Sequence, residues 1–262
     1  MNLMTDSLPS LAQRRFTLAT DLDGTFLGGK EAERRRLYDW IEGSRGSVGL
    51  IFVTGRDPMF IGEMCASGAL PWPDYVVGDV GTTIAAVGRD RKIAPIPELE
   101  ADISSLWNDS GERVRTALAN VPGLTLQPTP FRYRVSFDLD PDAFDHDAKV
   151  RVAELGLDWL ISDNRFFDVL PKGISKGPSI RKLVAHLGMD ENRVLVAGDT
   201  LNDLSMLACG LPAVAVGNSE LELVQQVAPL GHVYLASGHG AAGIMEAISA
   251  LDLHPNPPKG DH

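Results

Sequence analysis

Phe16-Thr17-Leu18-Ala19-Thr20-Asp21-Leu22-Asp23-Gly24-Thr25 runs from a short apolar segment into two carboxylates one residue apart, then into a Gly-Thr turn. An apolar run of this length, bounded by turn residues, predicts a fully buried strand of a parallel sheet. Ligands of such sheets bind beyond the carboxyl ends of the strands, which places Asp21 and Asp23 at the binding edge. Carboxylates at that spacing can converge on one hard cation, and magnesium suits them because it takes oxygen ligands and keeps waters or phosphate oxygens in its other positions. Alone, the pair reads equally well as an exposed loop capping a helix.

Three more strand ends carry chemistry-bearing residues. Gly49 to Val53 runs into Thr54-Gly55-Arg56-Asp57-Pro58, where a small hydroxyl residue, a glycine and a proline near a helix start aim a helix N-terminus at the sheet edge. That is an anion site as well as a capped turn. Asp168 to Gly177 ends in Ile174-Ser175-Lys176-Gly177, with Lys176 just inside a helix start. The positive end of the helix dipole disfavours a cation there, and such a local conflict marks function. Arg193 to Gly198 ends in Asp199-Thr200-Leu201-Asn202-Asp203, acidic groups at a strand tip for which a helix cap is the plainer reading.

DLDGT, TGR, SKG and GDTLND, in that order, resemble the four motifs of the haloacid-dehalogenase (HAD) phosphohydrolases, and the resemblance extends from Phe16 to about Ile248. It implies an α/β fold: a doubly wound, mostly parallel, Rossmann-like core with an inserted α+β cap of type IIB. Asp21 would be the nucleophile and Asp23 the general acid and base. Thr54 and Gly55 would hold phosphoryl oxygens, and Lys176 would neutralise nucleophile and phosphate. Lys176 is preferred to Lys172 because the family places its lysine directly before this helix. Asp21, Asp23 through its backbone carbonyl, and Asp199 would hold Mg2+, with Asp203 supporting the metal and Asn202 orienting nucleophile or phosphate. Arg56 stays open between the site and a structural pairing with Asp57 or a neighbouring element.

Between Pro97 and Phe166 the pattern changes. A helix is expected over Ala101 to Asn120, strands over Gly123 to Gln127 and Phe131 to Leu139, a helix over Pro141 to Leu155, then strands Leu157 to Ser162 and Arg165 to Leu170 joined by Asp163-Asn164. Helix–strand–strand repeated makes an α+β module, the pattern of the type IIB cap. Arg132 to Phe137 alternates strictly, giving one polar and one apolar face. Arg132, Arg134 and Ser136 on that face, or Asp163 and Asn164 at the tip, would meet the sugar end of a substrate or else face solvent. The expected organisation is a core of 14–96 and 167–253, a cap of 97–166, and loose termini at 1–13 and 254–262. Val80-Gly81-Thr82 after Asp74 to Asp79 most resembles the sucrose-phosphate phosphatase branch. The resemblance therefore implies a magnesium-dependent phosphatase acting through an aspartyl-phosphate on a glycosyl or disaccharide phosphate such as sucrose 6-phosphate, mannosylfructose phosphate or glucosylglycerol phosphate. A sugar phosphomutase, or a regulator that binds sugar phosphates without turnover, are the alternatives.

The chain of 262 residues carries a formal charge of -11, which disfavours nucleic acid and anionic membranes as partners. A small sugar phosphate is the expected partner, with a sugar-phosphate synthase as a possible protein partner. Cys65 and Cys209 suggest neither a disulfide framework nor a zinc site, and read as core thiols in a reducing compartment. No signal peptide or membrane span is legible, so a cytoplasmic location is expected.

Overall fold

The computed structural model describes residues 8–258. From the start of the chain, β1 (Phe16–Thr20) leads through a tight turn to α1 (Glu31–Gly43), β2 (Val48–Val53), α2 (Pro58–Ala66) and β3 (Tyr75–Gly78). The hairpin β4 (Thr83–Val87) and β5 (Ile93–Pro95) precedes α3 (Pro97–Trp107). A second unit follows: α4 (Gly111–Leu118), β6 (Leu124–Leu126), β7 (Val135–Leu139), α5 (Asp147–Glu154), β8 (Asp158–Ser162) and β9 (Phe166–Leu170). The chain closes with α6 (Lys176–His186), β10 (Val194–Gly198), α7 (Leu204–Leu207), β11 (Ala213–Ala215), α8 (Leu221–Val227), β12 (Val233–Leu235) and α9 (Ala241–Ala250).

The larger sheet has eight strands in the order β12-β11-β10-β1-β2-β3-β4-β5. It is parallel from β12 to β3 and antiparallel at β4 and β5. All residues of β1 and β2 are buried, a continuous rather than alternating pattern, because helices cover both faces. Phe16 and Leu18 pack against Leu37 and Ile41 of α1 and Ile244 and Ile248 of α9. On the other face Ala19 joins a cluster with Ile103 of α3, Ile180 and Leu183 of α6, and Leu223 of α8. This is the doubly wound α/β core expected from the sequence. The smaller sheet, β6-β7-β9-β8, is antiparallel. One face is closed by α4 and α5 through Val114, Leu118, Ala148 and Val152 against Phe137, Phe167 and Val169.

Several local expectations change. The helix expected over Ala101 to Asn120 is two helices, because Asn108 and Asp109 adopt left-handed backbone at φ 46° and 54°. Asn and Asp tolerate that conformation better than other side-chain-bearing residues. The break assigns α3 to the larger layer, where Leu99 and Ile103 are buried, and α4 to the smaller one. Strand β9, expected to straddle the boundary at 166/167, pairs along its length with β7 and β8. The helix expected from Pro141 begins only at Asp147, since Asp140 and Asp145 accept bonds from the amides of Asp142 and Asp147 and hold turns instead. The strand expected from Phe131 begins at Val135.

The ends are also tighter than expected. Leu11 is buried in the larger core within a short turn, Leu11–Gln13. His254 is buried edge-on against Trp40 and bonded to the Ser47 hydroxyl at 3.0 Å. The remaining expected loose residues, 1–7 and 259–262, lie outside the described residues. His232 bonds the Leu207 carbonyl at 3.0 Å. No helix among the described residues is long and apolar enough to cross a membrane.

Candidate active site

Strands β1 and β10 are neighbours in the middle of the sheet, so their carboxyl ends place Asp21 and Asp199 side by side. Beyond β1 the backbone turns sharply, with Gly24 at φ 78°. A Cβ on Gly24 would lie 2.0 Å from Oδ2 of Asp199, so glycine is required both for the left-handed turn and for the approach of the second carboxylate. Thr25 donates its hydroxyl to Asp199 Oδ1 at 2.6 Å.

Lys176, the first residue of α6, is fully buried beneath this pair. Its Nζ donates to Asp21 Oδ1 at 2.7 Å, Asn202 Oδ1 at 2.8 Å and Asp203 Oδ1 at 2.6 Å. The anomaly noted in the sequence, a cation at the positive end of a helix, is thus offset by two carboxylates. Burial works against the ammonium, but Asp203 and Asp21 outweigh it and hold its pKa above the ordinary lysine value. The other oxygen of Asp203 accepts the Asp199 and Thr200 amides at 3.0 and 3.2 Å.

Asp21, Asp199 and Asp203 present carboxylate oxygens within 4.8 Å of one another, all buried. Burial raises the Asp21 pKa well above its usual range, partly countered by Lys176, and pushes Asp199 up to about 7 despite the Thr25 hydrogen bond. Three carboxylates against one ammonium leave an excess of negative charge in a dry, all-oxygen cluster, and a hard divalent cation fits that donor set. The Asp23 carboxylate is not a member of the cluster and turns to Arg56, which holds it at 2.9 and 3.2 Å. Both side chains are about half exposed, at 48% and 55%. This resolves the open reading of Arg56, since Asp57 is occupied in capping α2 through the Met59 and Phe60 amides.

Thr54 is buried at the end of β2, and its hydroxyl accepts the Arg56 amide at 3.2 Å. The carbonyls of Thr54 and Arg56 accept the amides of Val80 and Asp79 at 3.1 and 3.0 Å. To supply those amides Asp79 and Val80 take φ of 52° and 59°, a conformation costly for a β-branched residue. Gly81 completes the loop, and a Cβ there would sit 2.4 Å from the Ser175 carbonyl carbon beside Lys176. One strained loop therefore braces both the Thr54 turn and the start of α6.

Two residues at this edge escaped the sequence reading. Asn218 donates to the Gly24 carbonyl at 3.0 Å and to Asp199 Oδ2 at 3.3 Å, and accepts from the Gly240 amide at 2.8 Å. Its only signal was position, since Gly217-Asn218-Ser219 follows a strand as the other motifs do. Asp79 is the second; its carboxyl accepts the Thr83 hydroxyl at 2.6 Å, and burial raises its pKa against the pull of Arg134.

The expected substrate contacts of the cap separate. Arg134 and Ser136, read as polar-face residues that would meet substrate or solvent, are buried with Asp168. Ser136 and Arg134 both donate to Asp168 Oδ1, and Arg134 also reaches the Gly55 carbonyl at 3.2 Å. Arg132 is engaged with Glu100 of α3. Asn164 lies in an exposed left-handed turn with Asp163, and no hydrogen bond joins it to the carboxylate cluster among the described residues.

The sequence signature of the sucrose-6F-phosphate phosphohydrolase family matches residues 14–252. The chain is 38% identical over 232 residues to glucosylglycerol-phosphate synthase of Pseudomonas anguilliseptica; these residues are 88% of this chain, which spans only 30% of that protein. It is 31% identical over 254 residues to mannosylfructose-phosphate phosphatase of Agrobacterium fabrum, covering 91% of this chain and 97% of that one. The crystal structure of sucrose-phosphatase from Synechocystis, in complex with sucrose and phosphate, matches with a TM-score of 0.82 at 25% identity, over 91% of this chain and 98% of the other.

Proposed function

Because the chain belongs to the sucrose-6F-phosphate phosphohydrolase family of HAD phosphatases, we propose that it releases inorganic phosphate from a glycosyl or disaccharide phosphate through an aspartyl-phosphate on Asp21. The observation that carries this reading is the fully buried Lys176 tied to both Asp21 and Asp203. Phosphoryl transfer is mainly a matter of positioning and charge neutralisation, and that arrangement provides both.

Asp21 attacks phosphorus in line with the leaving sugar oxygen. Lys176, the Thr54 hydroxyl and the Gly55 amide hold the equatorial oxygens. Asn202 gives its amide oxygen to Lys176, which leaves its NH2 to donate to the phosphoryl group. Asp23, freed from Arg56 and carrying the proton it took from the hydrolytic water of the preceding turnover, protonates the leaving oxygen, and the resulting carboxylate then takes a proton from the water that cleaves the aspartyl-phosphate. Mg2+ held by Asp21 and Asp199, with Asp203 behind them, would offset negative charge on nucleophile and phosphate.

Among esters we place glucosylglycerol phosphate first, since the 38%-identical protein is named for forming it. Mannosylfructose phosphate and sucrose 6-phosphate follow, from the names of the Agrobacterium fabrum relative and of the matched family. The reaction that supplies the substrate would then be a glycosyl transfer onto a phosphorylated acceptor. Phosphate release with Mg2+ from these three esters and from hexose monophosphates, beside an Asp21→Asn control, tests the proposal. One glycosyl phosphate hydrolysed stoichiometrically and far faster than the monosaccharide esters, with an inert control, is expected. Phosphate handed to another sugar position would indicate a mutase, and tight binding without release a regulator.

A further inference from the structure

The three consecutive residues Arg132, Tyr133 and Arg134 cross the seam between the two units. Arg132 pairs with Glu100 and lies 3.4 Å from the Thr83 hydroxyl, Tyr133 donates to Glu100 at 3.0 Å, and Tyr133 packs against both hydrophobic clusters. Arg134 differs from its neighbours in being buried, at 7% exposed, with its guanidinium 3.6 Å above the Phe131 ring. Its bonds fall into two groups. Within the smaller unit it reaches Asp168 at 3.4 Å, and across the seam it reaches the Gly55 carbonyl at 3.2 Å and Asp79 Oδ1 at 3.8 Å.

The cross-seam half is incomplete. Asp79 is 8% exposed, yet its Oδ1 has no hydrogen-bond partner among the described residues, and neither does Nε of Arg134. The nearest cationic atom to that oxygen is Nη2 of Arg134 at 3.8 Å, an ion pair too long for a hydrogen bond, and a buried acceptor left so is costly unless another state of the molecule completes the bond. Asp79 belongs to the strained loop whose amides hold the Thr54 and Arg56 carbonyls, while Arg134 holds the Gly55 carbonyl between them. The two residues thus grip the same phosphate-binding turn from opposite units.

We infer that Arg134 and Asp79 form a clasp that couples the seating of the cap to the geometry of the Thr54-Gly55-Arg56 turn, acting as positioning residues for substrates whose leaving group must be covered by the cap. The inference rests on the phosphatase reading for its substrate. When the cap lifts, Arg134 keeps Asp168 and releases Gly55 and Asp79; when it seats over a glycosyl phosphate, the loose 3.8 Å contact closes to a hydrogen bond. A small ester with no sugar to cover depends less on that closure.

The test compares Arg134→Met, Asp79→Asn and the double variant with wild type on glucosylglycerol phosphate and p-nitrophenyl phosphate, with hydrogen exchange of the 53–58 turn and unfolding midpoints measured alongside. The clasp predicts that each single variant loses at least about tenfold more kcat/KM on the glycosyl ester than on the small one, and that the double variant is no worse than the poorer single. Exchange at the turn should rise in all three. Equal losses on both esters, losses that multiply in the double variant, or unchanged exchange would each overturn the clasp. Arg134→Lys, which keeps the charge but not the fork, covers the case in which Arg134→Met does not fold, and should retain the substrate bias in part. If wild type hydrolyses neither ester, the phosphatase reading fails by itself and the exchange measurement decides the clasp.

Discussion

Replacing Lys176 with methionine removes one ammonium and keeps nearly the same buried shape. In the native protein that ammonium is wholly inaccessible and bonded to Asp21, Asn202 and Asp203. The variant leaves Asp21, Asp199 and Asp203 facing one another in a dry cluster without a protein cation. Breaking a buried ion pair from one side costs about 3–5 kcal/mol, which for a chain of this size lowers the unfolding midpoint by roughly 6–20 °C in chelator. Protonation of the carboxylates limits the loss, so it should shrink toward acid pH, and Mg2+ should restore part of it at neutral pH. Turnover should fall more steeply, by about a thousandfold, as expected when a preorganised donor to a developing charge is removed. Calorimetry in EDTA and in Mg2+, with phosphate release under the same conditions, reads all of these. A midpoint within about 2 °C of wild type in EDTA, together with activity within about tenfold, would show that Lys176 is neither the counter-charge nor the phosphate ligand argued for it.

Two further outcomes follow from the same cluster. Because burial pushes Asp199 from 3.8 up to about 7, the folded metal-free protein binds more protons than the unfolded chain between those values, so its stability should decline as pH rises through that window, by on the order of 2–4 kcal/mol. Mg2+ requires the carboxylate, so the rise in unfolding midpoint it produces should be larger at pH 8 than at pH 5; an equal or larger rise at pH 5 would contradict the cluster as its site. Asn218→Ala frees Asp199 Oδ2 and the Gly24 carbonyl, and should raise the Mg2+ concentration for half-maximal phosphate release about tenfold, whereas an unaltered requirement would show that Asn218 does not orient the metal ligand.

What the sequence made legible was local. Buried strands announce themselves as apolar runs, and the residues that end them, Asp21, Thr54 and Asp199, are brought to one edge by parallel pairing alone. Lys176 was legible through its conflict with the helix dipole. The break at Asn108-Asp109 was not, because Leu106, Val114 and Leu118 continue a plausible helical pattern across it and only the left-handed backbone separates the layers. Arg134 was placed on the polar face of a strand, but a polar face that lies against another unit is buried, and period-two alternation cannot distinguish it from one facing water. Asn218 and Asp79 act through partners nearly two hundred residues and about fifty residues away, contacts that no spacing in one sequence encodes. His254 was misread for the opposite reason, since a proline-rich end reads as loose until a tryptophan such as Trp40 is found beneath it.

The central position of β1 also bears on how the chain is made. One edge of β1 pairs with β2, which emerges soon after it, but the other edge waits for β10, roughly 170 residues later. At ribosomal rates of about 5–20 residues per second that interval is on the order of 10–30 s. Throughout it, Phe16 to Thr20 offers an unpaired, apolar strand edge with Asp21 at its tip, the kind of edge on which nascent chains associate. The insertion between the halves of the larger sheet lengthens that exposure. For this molecule the most aggregation-prone moment precedes folding of the site itself, and ends only when the residues after the cap arrive to fill the place beside β1.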